Sequence, residues 1–338
     1  MKCIQLLCVG FLLILSVGCG KDGAKPQQEK QFELYIDFWN TQGTNPQIRF
    51  DAQNSSPEVR IDFSKTFAGV AVPPKYTNVI IDNVRLIDDN NVNYHITQID
   101  AYEWRTDIND WKVDVEFVMQ YDQVQDIAVI LVLDASASLG NDFTNVKAFA
   151  FDFIRKVFEQ IPSAKVGIVD FSDEINSFGL TDNATALSSY LQSINQGPFT
   201  TLYEAMNLGI QILRNTNAES KALLTFTDGT DNNSDPQYTP AYILSQLNGG
   251  AGEVPISSFT IGLDGNGGVD KPVLDVLAVN GGASAFPANI NELGSVFNDF
   301  SQGVSTVYRL TYVRNQQVIT DTNPAKLRFV LKASAKKS

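Results

Sequence analysis

The chain has 338 residues, 43% hydrophobic and 19% charged, a globular composition long enough for two domains and a sizeable core. Its formal net charge of −13 repels phosphate backbones and argues against nucleic acid as a partner. All three cysteines (Cys3, Cys8 and Cys19) fall at the N-terminal end, and His95 is the only histidine. Disulfides in the folded body, zinc–thiolate sites and two-histidine chemistry are therefore excluded within this chain.

The first predicted element is a targeting segment. Lys2 is followed by an almost wholly apolar run from Ile4 to Val17, then by the small residue Gly18 and by Cys19. A charge, a short apolar stretch and a small-residue exit make residues 1–18 a secretory signal peptide, and the run is short for a membrane span. The end Leu15-Ser16-Val17-Gly18-Cys19 resembles a bacterial lipobox, with Ser16 where an aliphatic residue is usual. The resemblance implies cleavage before Cys19, lipidation of that cysteine and attachment to a lipid bilayer of the bacterial cell envelope. The other reading is an ordinary signal peptide cut nearby. Gly20 is not the aspartate that holds many lipoproteins at the inner membrane, so analogy favours the outer one. Residues 19–31 are polar and read as a tether.

Residues 32–124 read as β. The clearest predicted strand runs from Trp111 to Tyr121, with Trp111, Val113, Val115, Phe117, Met119 and Tyr121 on one face. Shorter alternating pieces are Ile48-Phe50-Ala52, Val59-Ile61-Phe63 and Tyr94-Ile96, separated by turn residues such as Asp88, Asp89 and Asn90. An antiparallel sandwich is expected. His95 is expected to be a strand residue without catalytic duty. Trp39, Trp104 and Trp111 are expected in core packing, in preference to stacking on sugars.

From residue 125 to 308 apolar runs of strand length alternate with helical stretches. The runs are 127–133, 166–171, 222–226 and 256–261, near-continuous as in strands buried on both faces. Between the first two, Val146, Phe149, Ala150, Phe153, Ile154 and Val157 keep helical spacing, and Phe151 falls off the stripe and needs cover. A second helix carries Leu202, Met206, Gly209 and Leu213, and a third lies near 290–307. The fold class is α/β, an open, mostly parallel sheet wrapped by helices. Residues 309–338 return to strand character. Two orphan strands cannot bury a face alone, so they are expected to complete a second, all-β sandwich-like domain with the N-terminal segment.

The strand at 127–133 runs into Asp134, Ser136 and Ser138, spaced DxSxS. One carboxylate and two hydroxyls at a strand end are hard oxygen donors suited to Mg²⁺ or Mn²⁺. Further on come GPFTTLYEA at 197–205 and TFTDGTDN at 225–232. These three pieces, in this order at strand ends, resemble the von Willebrand factor type A family over about residues 125–308. The resemblance implies a metal ion-dependent adhesion site: hydroxyls from Ser136, Ser138 and Thr200, charge balance from Asp134 and Asp228, and one position open to a carboxylate of a protein ligand. The T-x-L-Y pattern selects Thr200 and leaves Thr201 as the spare. Phe199 stands where the family has glycine and is expected to crowd the loop. Asp231, Asn232, Asn233 and Asp235 lack EF-hand spacing and read as a solvated loop. The function implied is metal-dependent protein binding without catalysis. The alternatives are a structural envelope-assembly lipoprotein and a metal-assisted hydrolase.

Overall fold

The structure is a computed structural model, and it describes residues 28–37, 47–52, 55, 57–62, 78–90, 92–105, 108–114, 118–250, 253–264, 268–313 and 326–335. The signal segment, Cys19, Trp39 and most of the tether lie outside the described residues.

The strands in chain order are β1 (Glu29–Asp37), β2 (Gln47–Phe50), β3 (Glu58–Asp62), β4 (Asn78–Val84), β5 (Tyr94–Arg105), β6 (Asp110–Val113), β7 (Val118–Gln123), β8 (Ile127–Asp134), β9 (Lys165–Phe171), β10 (Ile175–Thr181), β11 (Ser220–Thr227), β12 (Ile256–Gly262), β13 (Ser284–Ala285), β14 (Tyr308–Val313) and β15 (Lys326–Ala335). The helices are α1 (Phe143–Gln160), α2 (Ala184–Ser193), α3 (Leu202–Arg214), α4 (Pro240–Asn248), α5 (Lys271–Leu277) and α6 (Ile290–Ser305).

One six-stranded sheet, ordered β10-β9-β8-β11-β12-β13, forms the α/β part. All its neighbours are parallel except the edge strand β10, which runs antiparallel to β9. Every residue of β8, β11 and β12 is buried, because helices cover both faces of the sheet. On one side α1 and α6 supply Val146, Phe153, Val157, Phe297 and Val304. On the other, α3, α4 and α5 supply Met206, Ile210, Ile243 and Leu274. Phe151 is half-buried and packs against the first of these clusters, which is the cover that its place off the stripe demands.

Two antiparallel sheets make up the rest. One is ordered β2-β1-β15-β5-β6 and the other β3-β4-β14-β7. The tail strands lie inside them: β15 between β1 and β5, and β14 between β4 and β7. A shared apolar cluster fills the space between the sheets, with Phe32, Leu34, Ile36, Phe329 and Leu331 from one and Val79, Ile81, Leu310 and Tyr312 from the other. The hydroxyl of Tyr312 lies 2.8 Å from carboxylate oxygens of both Glu103 and Asp114, across the sandwich.

The single strand expected over Trp111–Tyr121 is instead two strands in two sheets. β6 pairs with β5, whereas β7 pairs with β14. The break falls between Val113 and Val118, and Asp114, just after β6, donates its N–H to Ala101 O while its side chain meets Tyr312. Alternation on either side of a corner reads as one strand because the period of two does not record which sheet a strand joins. The tryptophans differ from expectation as well. Trp104 and Trp111 are half-buried on the outer face of the five-stranded sheet and belong to neither core. Asp88 is buried and accepts from the N–H groups of Asn90 and Val92 and from the Tyr94 hydroxyl, a turn that closes on itself. His95 lies in β5 with its Nδ1 3.0 Å from the Tyr308 hydroxyl.

Candidate metal-binding site

In the six-stranded sheet, β8 leads through α1 to β9 on one side, whereas β11 joins on the other. The strand order reverses here, and the C-terminal ends of strands at such a reversal open a crevice for ligands. Asp134 closes β8 and Asp228 directly follows β11. The register pairs Leu133 with Phe226, which sets Thr227 beside Asp134.

These side chains meet. The Thr227 hydroxyl donates to Asp134 Oδ2 at 2.6 Å, and the other carboxylate oxygen of Asp134 accepts the Ser136 N–H at 2.7 Å. Ser136 Oγ and Ser138 Oγ lie 2.9 Å apart and both donate to Asp228 Oδ1, at 3.2 and 2.8 Å. Thr200 is buried, and its Oγ1 adjoins Gly229, the residue after Asp228. The structure therefore brings four of the predicted side chains into one cluster and places Thr200 beside the glycine that follows Asp228.

Thr200 and Thr201 are separated by their partners. The Thr201 hydroxyl donates to Ser172 O at 2.5 Å and accepts from Asn233 Nδ2 at 2.9 Å, so it serves the loop. Thr200 is held by its backbone, whose N–H donates to Asn232 Oδ1 at 2.9 Å. Phe199 does not crowd the loop. It is 47% exposed and turned to solvent at the rim.

The 231–235 segment is not a merely solvated loop. Asp231 accepts from the N–H of Tyr203 in the first turn of α3 and from the N–H and hydroxyl of Ser234, and Asn232 and Asn233 hold Thr200 and Thr201. Short Asp and Asn side chains that bond back to nearby backbone produce such brackets. Sequence reading recognised their turn chemistry but not the distant loop they would bracket. Thr227, whose hydroxyl orients Asp134, was likewise missed. It is the Thr beside the TDG aspartate, and that adjacency was the available signal. Gly197 is a further brace. Its N–H donates to Ala135 O and its carbonyl accepts from Ala137, and a Cβ there would collide with Ser172 and Asp173.

The electrostatics fit a cation. Asp134 and Asp228 are 0% and 2% exposed, and no ion pair to either carboxylate is found among the described residues. Burial pushes the Asp134 carboxyl up to about 6, against the hydrogen bonds that favour its charge, and the nearby Asp228 charge adds to the rise. Burial also raises Asp228. Two buried carboxylates and three hydroxyls with no basic side chain form an oxygen donor set of the kind hard divalent ions take.

The von Willebrand factor type A domain matches residues 128–299, just over half of the chain. The chain belongs to the von Willebrand factor type A family. Among solved structures, the proximal thread matrix protein 1 of the mussel byssus with a zinc-occupied MIDAS motif is similar at 17% identity and a TM-score of 0.47. That alignment covers 59% of this chain and 50% of the mussel protein, so this chain spans about half of that protein's length. The vWF domain of the type V pili tip protein Mfa5 of Porphyromonas gingivalis is 12% identical with a TM-score of 0.41, covering 54% of this chain and 96% of that one. A von Willebrand factor type A protein of Catenulispora acidiphila is 10% identical with a TM-score of 0.45, covering 72% and 68%. No curated protein matches the sequence.

Proposed function

We propose that the chain is a lipid-anchored envelope protein whose von Willebrand factor type A domain binds Mg²⁺ or Mn²⁺ and, through the ion, a carboxylate of a protein ligand. The observation that carries the reading is the meeting of Asp134 and Asp228, both buried, with the hydroxyls of Ser136 and Ser138 between them and Thr200 alongside. Ser136, Ser138 and Thr200 would supply hydroxyl oxygens, and Asp134 and Asp228 would balance charge. A bound ion there supplies a Lewis-acidic position toward a ligand carboxylate.

The site acts by binding and not by catalysis. Its side chains are committed to hydrogen bonds within the cluster, and His95, the one imidazole, sits in the sandwich beside Tyr308. The sandwich serves as a stalk between membrane and domain. Anchoring rests on the lipobox-like segment ending at Cys19.

The test is a pull-down from cell envelopes in Mg²⁺, in Mn²⁺ and in EDTA, with Asp134→Ala as control. Capture that needs the ion and is lost in the variant supports the reading. Capture indifferent to EDTA, or turnover of model esters or phosphates, overturns it. In the same cells, Cys19→Ala moves the protein from the membrane to the soluble fraction if the anchor is lipid on that cysteine.

A further inference from the structure

The outer face of the five-stranded sheet carries a cluster that the metal-binding reading does not use. Register places Tyr35 of β1 opposite Arg49 of β2 and Arg328 of β15, and Trp104 of β5 opposite Trp111 of β6. Trp104 and Trp111 meet edge-to-face with centroids 5.4 Å apart, and Trp111 and Tyr35 do the same at 5.9 Å. All three rings are half-buried in the folded chain. Beside them opens a hollow of about 430 Å³, bordered by Asp37, Gln47, Arg49 and Lys326. Concave sites of this size, with apolar walls and a few polar groups at the rim, hold small ligands.

We infer that this hollow binds a neutral saccharide. The rings offer flat apolar surface of the kind that packs against the C–H faces of a sugar, and the polar rim offers both donors and acceptors for hydroxyls. The charges argue against an ionic occupant. Lys326 and Asp37 pair with each other at 3.0 Å, and the Arg49 guanidinium lies 4.0 Å over the Tyr35 ring. A cationic ligand meets Arg49 and Lys326 and finds the Asp37 carboxylate already paired, whereas an anionic one meets Asp37 and finds only Arg49, whose guanidinium is seated on the Tyr35 ring. An uncharged polyol forgoes nothing there.

Of the three tryptophans in the chain, Trp39, Trp104 and Trp111, the last two line the hollow, so intrinsic fluorescence reports on it. Full-length protein is titrated with cello-, malto- and chito-oligosaccharides and run in affinity gels containing the matching soluble polysaccharides. At least one series shifts the emission saturably and retards the protein, equally with and without EDTA and equally in Asp134→Ala. Trp104→Ala and Trp111→Ala each weaken that binding about ten-fold or more. As the control for folding, Gln47→Ala, a rim change, is run alongside with near-ultraviolet circular dichroism, and it weakens binding with the spectrum unchanged. No response to any of the three series, or variants that bind as wild type does, overturns the inference. So does retention by a charged peptide in place of the sugars.

Discussion

At the scale of single residues, adjacent threonines have been given different tasks. The hydroxyl of Thr201 is tied to Ser172 O and Asn233, whereas that of Thr200 stands beside Gly229 at the carboxylate cluster. Thr201→Ala removes a buried hydroxyl and leaves the Ser172 carbonyl without this donor, at a cost of about 1–3 kcal/mol. Thr200→Ala costs little stability but weakens the ion. Calorimetric titration with Mg²⁺ and Mn²⁺, set beside urea melts, distinguishes the two: Thr200→Ala changes the titration and Thr201→Ala changes the melt. Parallel changes in both assays would mean that the spacing T-x-L-Y selects the wrong hydroxyl.

Arg85 is the other residue whose environment decides its effect. It is fully buried and lies in the chain just after β4. It donates to the Gly303 carbonyl near the end of α6, reaches Ser220 Oγ at 3.4 Å and stands 5.9 Å over the Phe259 ring. No carboxylate pairs with it among the described residues, and burial pushes its guanidinium down to about 9. The side chain thus joins the sandwich to the α/β part at the cost of a buried charge. A buried charge carries a desolvation penalty of several kcal/mol, which an apolar side chain of similar volume does not incur. Arg85→Met therefore melts no lower than wild type, whereas Arg85→Ala opens a cavity and loses about 2–5 kcal/mol. Thermal melts of the two variants check this, and equal losses in both would show that the hydrogen bond to Gly303 outweighs the charge.

Among the elements, three loops build the site, those after β8, before α3 and after β11, and Gly197 braces the first two. The loop after β8 and the loop before α3 are bridged by the Gly197 backbone, while Ser172 and Asp173 press on it from the loop after β9. Gly197→Ala forces these loops apart. Overpacking of this kind costs about 1–3 kcal/mol, and here it also displaces the 134–138 segment. The expected result is a lowered melting temperature together with weakened ion binding. Unchanged ion binding would mean that the loop before α3 moves independently of the carboxylates.

β14 and β15 each sit between two neighbours, one in each sheet of the sandwich. Truncation after residue 307 deletes an interior strand from both sheets and leaves β1 and β5 without their shared neighbour. The sandwich then unfolds while the six-stranded sheet, complete by residue 285, stays folded. Tryptophan emission, to which Trp104 of β5 and Trp111 of β6 contribute, shifts to the red, and helical circular dichroism is largely retained. Unshifted emission would place the cohesion of the sandwich elsewhere.

For the molecule as a whole, the chain leaves the sandwich at β7, builds the α/β domain and returns at β14. Much of this was legible in the sequence because each element is decided locally. Continuous apolar runs at 127–133, 166–171, 222–226 and 256–261 require cover on both faces, and that requirement alone demands flanking helices. DxSxS at the end of the first run, TTLY ahead of α3 and TDG at the end of the third run resemble a family pattern, and through that resemblance they pointed to the five side chains. Other features needed the tertiary structure, because they depend on which distant segment arrives. The split between β6 and β7 exists because their partners, β5 and β14, lie in different sheets, and Asp114 beside it meets Tyr312, some two hundred residues away. Trp104 and Trp111 face outward because β5 and β6 present their other side to the core, and alternation does not say which side that is. The 231–235 loop became a bracket because α3 and Thr200 arrive within reach of its side chains. The sequence by itself determined which residues bear oxygen and which faces are apolar. Only the fold decided which of them meet, because burial and hydrogen bonding are satisfied between segments that chain order does not bring together.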